Sequence, residues 1–363
     1  MNDISTTSKV LEAGFKEGVQ TGASGDSPTS KEAGAPGVQT GTQVPQAAPA
    51  AKQPGSPAAA GTRALGPAAP SQSGAGFTIQ FQRGDLPWLK ELIYGDYGSG
   101  KTWLAGTSAD VPDMRDVLLI SAESGELTLR DPDHSFHLID PIKVTSFRTL
   151  ARIYDFLKAH CRWRDDPNIE VADEKLRILQ AMVTVQGEPG SLESSEPSRL
   201  RRYRTVIVDS LTEVEVYCMQ QLLGITDTTA MDEETQGAEW AEYKKQHQMV
   251  QRMIRNFRDL PMHVLFTAAR AYTQDELKRH IYAPMMTGKL SSQVQGFMDV
   301  VGYLVTGTAA DDQTALPRRL YVQPGSRFAA KSRFSTYRGA YFDNPTMGTI
   351  LLQVGLLKAV PKA

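Results

Sequence analysis

From residue 88 onward the chain alternates short apolar runs with amphipathic stretches. Leu89, Glu91 and Ile93 fall on one side of an extended segment and Trp88, Lys90, Leu92 and Tyr94 on the other, the period of a strand. Val117-Leu118-Leu119-Ile120-Ser121, Thr205-Val206-Ile207-Val208-Asp209 and His263-Val264-Leu265-Phe266-Thr267 are continuous apolar runs, as expected of parallel strands covered on both faces. Residues 300–305 and 319–322 add two candidate strands, 77–81 an edge strand, and 136–144 a strand broken by Pro141. Helical spacing recurs between them. Lys101 opens one helix, and Ser146 caps another on Leu150, Ile153, Tyr154 and Leu157. A third spans 211–223 and is followed by a polar loop over 224–236. The longest, over 238–260, carries Trp240, Tyr243, His247, Val250, Ile254 and Phe257 on one stripe until Pro261 stops it. His247 on that stripe reads as a core or boundary histidine. Residues 348–357 predict a terminal helix. Strands alternating with helices predict an α/β fold: a mainly parallel, twisted central sheet flanked by helices.

Two stretches resist this pattern. Residues 161–200 read as an insertion on the core, with a helix over 173–185 and a Gly/Pro/Ser/Glu loop over 187–198. Residues 270–287 read as a long connection. The run Arg199 to Arg204 reads as a solvated basic surface.

Residues 1–76 differ in kind. Ala, Gly, Pro, Ser, Thr and Gln dominate, and Phe15 is the only aromatic before Phe77. Such a stretch cannot bury enough apolar surface to offset its ordering entropy, so it predicts a disordered tail ahead of a core over 77–363. Charge is nearly balanced, 39 Lys+Arg against 41 Asp+Glu, so any nucleic-acid contact must be a local patch. Cys161 and Cys218 follow no metal or disulfide spacing. With no apolar leader or membrane-length run, the expectation is a cytoplasmic protein without a membrane partner.

The chemistry concentrates at Gly95-Asp96-Tyr97-Gly98-Ser99-Gly100-Lys101-Thr102, which fits G-x-x-x-x-G-K-[ST] between a strand and a helix. Glycines let the loop curl so that its N–H groups converge on an anion. Lys101 would reach the β- and γ-phosphates of ATP, and the Thr102 hydroxyl would bind Mg²⁺. The expected ATP-binding set is Gly95, Asp96, Tyr97, Gly98, Ser99, Gly100, Lys101, Thr102 and Trp103. Asp209, pushed out at the end of an apolar strand, would face the same Mg²⁺. Glu123 follows the carboxyl end of another strand, where open α/β sheets hold ligands.

These residues, in this order, resemble the RecA-like P-loop ATPase core, and within it the phage-encoded branch of single-strand annealing and recombination. The resemblance covers roughly 88–340. Gly95 to Thr102 resembles the Walker A loop. Leu119-Ile120-Ser121-Ala122-Glu123 is similar to the strand whose glutamate activates the attacking water, and Val206 to Thr212 resembles the Walker B strand with its Asp-Ser-Leu-Thr continuation. Pro284 to Lys289, Asp299-Val300-Val301 and Ala330-Lys331-Ser332-Arg333 are similar to segments of the phage branch. The resemblance implies ATP hydrolysis between subunits of a head-to-tail ring or filament, with Lys331 and Arg333 as cations offered to a neighbour's γ-phosphate. It implies single-stranded DNA as partner, with Tyr272, Lys278, Arg279, His280, Tyr282 and Lys289 along the second DNA-binding loop. A tail like this one would recruit a single-strand-binding protein or another replication partner. The sequence departs from RecA where a γ-phosphate-sensing glutamine is expected: Ala268-Ala269-Arg270 stands there, and Arg270 is the candidate substitute. Two other readings fit the same core, a helicase or packaging motor and a nucleotide-gated assembly switch.

Overall fold

The computed structural model describes residues 88–182, 200–226, 228–235, 237–274, 278–307 and 317–357, all within the compact unit Thr78–Ala363. The expected tail at 1–76, the strand at 77–81 and the loop at 187–198 lie outside these residues. The strands are β1 (Lys90–Gly95), β2 (Val117–Ser121), β3 (Ile139–Lys143), β4 (Thr205–Asp209), β5 (His263–Gln274), β6 (His280–Pro284), β7 (Val300–Thr306), β8 (Arg318–Tyr321), β9 (Lys331–Ser332) and β10 (Tyr341–Asp343). The helices are α1 (Lys101–Gly106), α2 (Phe147–Arg164), α3 (Ile169–Ala181), α4 (Leu211–Leu222), α5 (Trp240–Arg258), α6 (Leu290–Phe297) and α7 (Met347–Gln353).

One sheet runs β10-β8-β7-β1-β5-β4-β2-β3, with β6 on β5 and β9 on β7. From β7 to β3 every pairing is parallel, whereas β6, β8, β9 and β10 pair antiparallel. The apolar runs are buried on both faces. Leu92, Ile120, Val208 and Phe266 pack under α2, α4, α5 and α6, while Ile93, Leu119, Ile207 and Leu265 pack under α1 and α7. This is why those strands lack alternation. Pro141 is accommodated because, among the described residues, β3 is the edge strand with a neighbour on one side only.

Three expectations change. The stretch beginning at residue 161 starts as regular structure: α2 runs through Arg164, and α3 is capped by the Asn168 side chain, which accepts from Glu170 and Val171 N–H. The basic run is spent on acids, Arg201 on Asp140 and Arg202 on Asp173. Residues 270–287 are not an irregular connection. β5 continues past the sheet to Gln274 and returns as β6, pairing Tyr272 with Tyr282 and Thr273 with Ile281. Its outer part, Tyr272 to Gln274 and His280, is exposed, so the strand formers there carry no apolar alternation to read. No helix among the described residues is long and apolar enough to cross a membrane.

Candidate nucleotide-binding site

Parallel strands bring their carboxyl ends to one edge, and there the chain delivers its polar side chains. Gly95 closes β1 against β7, where a Cβ would lie 2.3 Å from the Leu304 carbonyl oxygen. Only glycine fits. Gly98 and Gly100 then turn at φ 73° and 89°, conformations that glycine adopts without strain. The Ser99 N–H and hydroxyl both donate to the Asp96 carbonyl, at 3.2 and 2.8 Å, closing the loop on itself. Lys101 is buried inside it and donates from Nζ to the carbonyls of Asp96 (2.8 Å) and Gly95 (3.3 Å). Burial lowers its pKa, opposed by the charges of Glu123, Asp209 and Asp96.

Asp209, at the end of β4, meets the loop. Its Oδ2 accepts the Thr102 hydroxyl at 2.8 Å and its Oδ1 accepts the Thr267 hydroxyl. Its carbonyl accepts the N–H groups of Ala122 (2.7 Å) and Glu123 (3.3 Å), which binds the exit of β2 to the end of β4. Glu123 is thereby held beside Asp209, and the Ser210 hydroxyl donates to its Oε1. Burial pushes the Glu123 carboxyl up, while the Ser210 bond holds it down. Gly125 passes over this pair: a Cβ there would lie 3.4 Å from Asp209 Oδ2 and 3.6 Å from Thr102 Oγ1.

A hydroxyl and one carboxylate oxygen, side by side and backed by further hydrogen bonds, suit Mg²⁺, which keeps waters and takes its other ligands from phosphate. Among the described residues there is no cluster of three or more His, Cys, Asp and Glu of the kind an all-protein metal cage needs. The donor set therefore fits a magnesium nucleotide.

The family model of an AAA domain matches residues 89–334, from β1 past β9. The chain belongs to that family. No curated protein matches it. Among solved structures it is similar to the RadB recombinase, at 15% identity over 65% of this chain and 80% of that one, with a TM-score of 0.32. It is also similar to the flagellar accessory protein FlaH from Methanocaldococcus jannaschii, at 10% identity over 72% and 88% of the two chains, with a TM-score of 0.33.

The other expected residues of this AAA domain fall in several places. Arg270 belongs to the site edge: its Nε pairs with Asp96 of the loop, its Nη1 donates to the Tyr303 hydroxyl at 3.0 Å, and its guanidinium lies 4.3 Å over the Tyr282 ring. Tyr97 stands 71% exposed on the loop, and Trp103 is half-buried on α1 with its indole N–H toward Asp131 (3.4 Å). The hairpin carries Tyr272, Lys278, Arg279, His280 and Tyr282. Tyr272 is 63% exposed and stacks on His280 at 4.8 Å, whereas Tyr282 is half-buried between Tyr272 (5.3 Å) and Tyr303 (5.9 Å). Lys289 is exposed at the head of α6.

Lys331 and Arg333 are not brought to the site of their own chain. β9 pairs with Val300 and Val301, which lie opposite Glu91 and Leu92, the far end of β1 from the loop. There Lys331 donates to the Gln295 carbonyl (2.7 Å), and Arg333 to the Gly296 carbonyl (2.7 Å) and Asp299 (3.1 Å).

Sequence reasoning missed Thr267, Thr212 and Glu215. Thr267 ends an apolar run as Asp209 does, and that shared signal could have found it. Thr212 and Glu215 hold the base of the hairpin. Thr212 accepts the Ala269 N–H (3.0 Å) and donates to the Met285 carbonyl (3.3 Å), and Glu215 accepts the Thr287 N–H (2.9 Å). Thr212 closes the Asp-Ser-Leu-Thr continuation, but nothing in the sequence around Glu215 announces this.

Proposed function

We propose that this chain is an ATP-hydrolysing P-loop enzyme that binds single-stranded DNA, of the recombination or annealing type that its motifs resemble. The convergence of Lys101, Thr102, Asp209 and Glu123 on the sheet edge from which the β5–β6 hairpin projects carries the reading. Lys101 would leave its loop carbonyls for the β- and γ-phosphates, and Thr102 and Asp209 would hold Mg²⁺. Mg²⁺ bound there would neutralise charge developing on the phosphoryl oxygens. Glu123, ionised and steadied by Ser210, would accept a proton from the attacking water.

Arg270 would link the two halves of the activity, since it touches Asp96 of the phosphate loop and Tyr282 of the hairpin. On the hairpin, Tyr272 offers an open face for a base, with Lys278, Arg279 and His280 beside it for phosphates; Lys289 lies beyond its base. Stacking of this kind contributes about 1–3 kcal/mol per base. Lys331 and Arg333 could reach a phosphate only in a neighbour's site, which calls for head-to-tail assembly into a ring or filament. The tail at 1–76 would then be the handle for a partner.

The test is the ATPase rate with and without single-stranded DNA across a salt series. DNA should raise turnover, with binding that weakens as salt rises. Glu123→Gln should bind ATP and lose turnover by roughly 10²–10⁴-fold. ATP binding without DNA-stimulated turnover would favour the assembly switch, and ATP-driven strand separation would favour the motor.

A further inference from the structure

The loop reading places magnesium, and with it the β- and γ-phosphates, on the side where Thr102 meets Asp209. β4, which ends in Asp209, lies two strands from β1 in one direction, and β8 lies two strands from β1 in the other. We read the α-phosphate and nucleoside as leaving the loop on the other side, toward β7 and β8. There β7 already touches it: the Thr306 hydroxyl donates to the Ser99 carbonyl at 3.4 Å.

Arg318 stands on that side. It opens β8 opposite Thr306, and its main chain is fixed in both directions by Asn344, at 2.9 and 2.7 Å. Its guanidinium lies against the last glycine of the loop. A Cβ on Gly100 would meet Arg318 Nε at 2.8 Å and Cζ at 2.9 Å. The same guanidinium sits 4.6 Å over the Trp103 ring.

What marks Arg318 is the combination of this contact with the loop and the absence, among the described residues, of a carboxylate partner such as several other arginines have. Arg319 pairs with Asp343, Arg270 with Asp96, Arg333 with Asp299, Arg201 with Asp140 and Arg202 with Asp173. Among the described residues no carboxylate lies within ion-pair distance of the Arg318 guanidinium. A half-buried cation over an indole, with no hydrogen bond from its guanidinium among the described residues, is suited to a phosphate.

We propose that Arg318 is a nucleotide-binding residue that takes the α-phosphate of the bound triphosphate, with Trp103 as the platform that fixes it. The proposal rests on the reading of the loop as a triphosphate site. It also gives Trp103 a role besides packing.

The experiment is calorimetric titration of the full chain with Mg·ATP and, separately, with magnesium tripolyphosphate, which has the charge without the nucleoside. Arg318→Ala should weaken both by roughly ten- to a hundred-fold, the worth of a charge-assisted hydrogen bond. Arg318→Lys should recover part of the loss, and Arg319→Ala, one residue along the strand, should leave both unchanged. Thermal melts of each variant separate a folding defect from a binding one, and Arg318→Gln serves if the alanine variant is unstable. Unchanged binding in a folded Arg318→Ala overturns the proposal. So does a loss confined to ATP, which would put the guanidinium on the nucleoside. Failure of the loop reading is distinct: the wild type would bind neither ligand, or Lys101→Ala would bind both as the wild type does, and both ideas would fall.

Discussion

β1 has a lysine at its first residue, Lys90, and the loop that follows it ends at another, Lys101. Both donate to main-chain carbonyls: Lys90 to Leu260 (2.7 Å) and Met262 (2.5 Å), Lys101 to Asp96 and Gly95. Burial depresses both, Lys90 to about 8. Their partners differ. The carbonyls under Lys90 belong to the turn around Pro261, which links α5 to β5 and is part of the frame. Those around Lys101 belong to a loop whose glycines turn at positive φ, and Glu123 and Asp209 add negative charge beside it. A buried lysine on carbonyls is thus a staple where the carbonyls are fixed. Under the proposed function it is a phosphate ligand where they belong to a glycine loop. Nearby carboxylates alone do not make the difference, since Asp299 and Asp259 act on Lys90 as Glu123, Asp209 and Asp96 do on Lys101. The two ends of one strand show both.

The largest effect expected from this contrast concerns Glu91, next to Lys90. It is fully buried among apolar side chains, and neither carboxylate oxygen has a partner among the described residues. Burial raises its pKa from 4.5 to about 8. Between those values the folded chain keeps a proton that the unfolded chain releases, so stability falls as pH rises through that window. The span corresponds to about 5 kcal/mol as an upper figure. Glu91→Gln should match the wild type near pH 4.5 and exceed it increasingly toward pH 8, as measured by denaturant melts at several pH values. Parallel curves for the two proteins would mean that this end of β1 is not dry, and the contrast would weaken.

The lysines test the contrast directly. Lys101→Ala should lower nucleotide affinity by more than about a hundred-fold, the loss of a charged donor from a buried phosphate site. Its melting temperature should barely move. Lys90→Ala should do the reverse, losing about 2–3 kcal/mol of stability with nucleotide affinity unchanged. Titration and melts of both variants decide it. A Lys90→Ala chain that is stable and blind to nucleotide would break the distinction.

Much of this was legible in the sequence because the site is assembled from strand ends. Val206-Ile207-Val208 followed by Asp209 announces a carboxylate delivered at a sheet edge, and Gly95 to Thr102 announces the loop. The order of these motifs along the chain places them together once the sheet is parallel. The β5–β6 hairpin was not legible. Its outer part projects past the core, so Tyr272 and Thr273 gain their strand geometry from pairing with Tyr282 and Ile281, and of these only Tyr282 packs back on the core. Lys331 and Arg333 were legible as a cationic motif but not as to place, because β9 is two residues long and pairs at the opposite end of β7 from the loop. Arg318 carried no signal at all. Its significance comes from the contact with Gly100 across the sheet, which no local pattern encodes.

The smallest effect expected refines the loop end alone. The Ser210 hydroxyl donates to Glu123 and also caps α4, accepting the Glu213 N–H at 3.5 Å. Hydrogen bonding to the ionised carboxylate lowers its pKa against the rise that burial causes. In the proposed mechanism Glu123 accepts a proton only when ionised, so turnover should fall as pH drops through its raised pKa. Removing the donor in Ser210→Ala should move that acid limb to higher pH. Well above the limb the rate should stay close to wild type, and the lost cap should cost about 1 kcal/mol of stability. Ser210→Thr, which keeps a hydroxyl, should hold the limb nearer its original position. The measurement is turnover against pH for the three proteins. A limb that stays put in Ser210→Ala, with the stability loss present, would leave Ser210 as a helix cap only. The proton acceptor in hydrolysis would then have to be steadied by something other than its nearest donor.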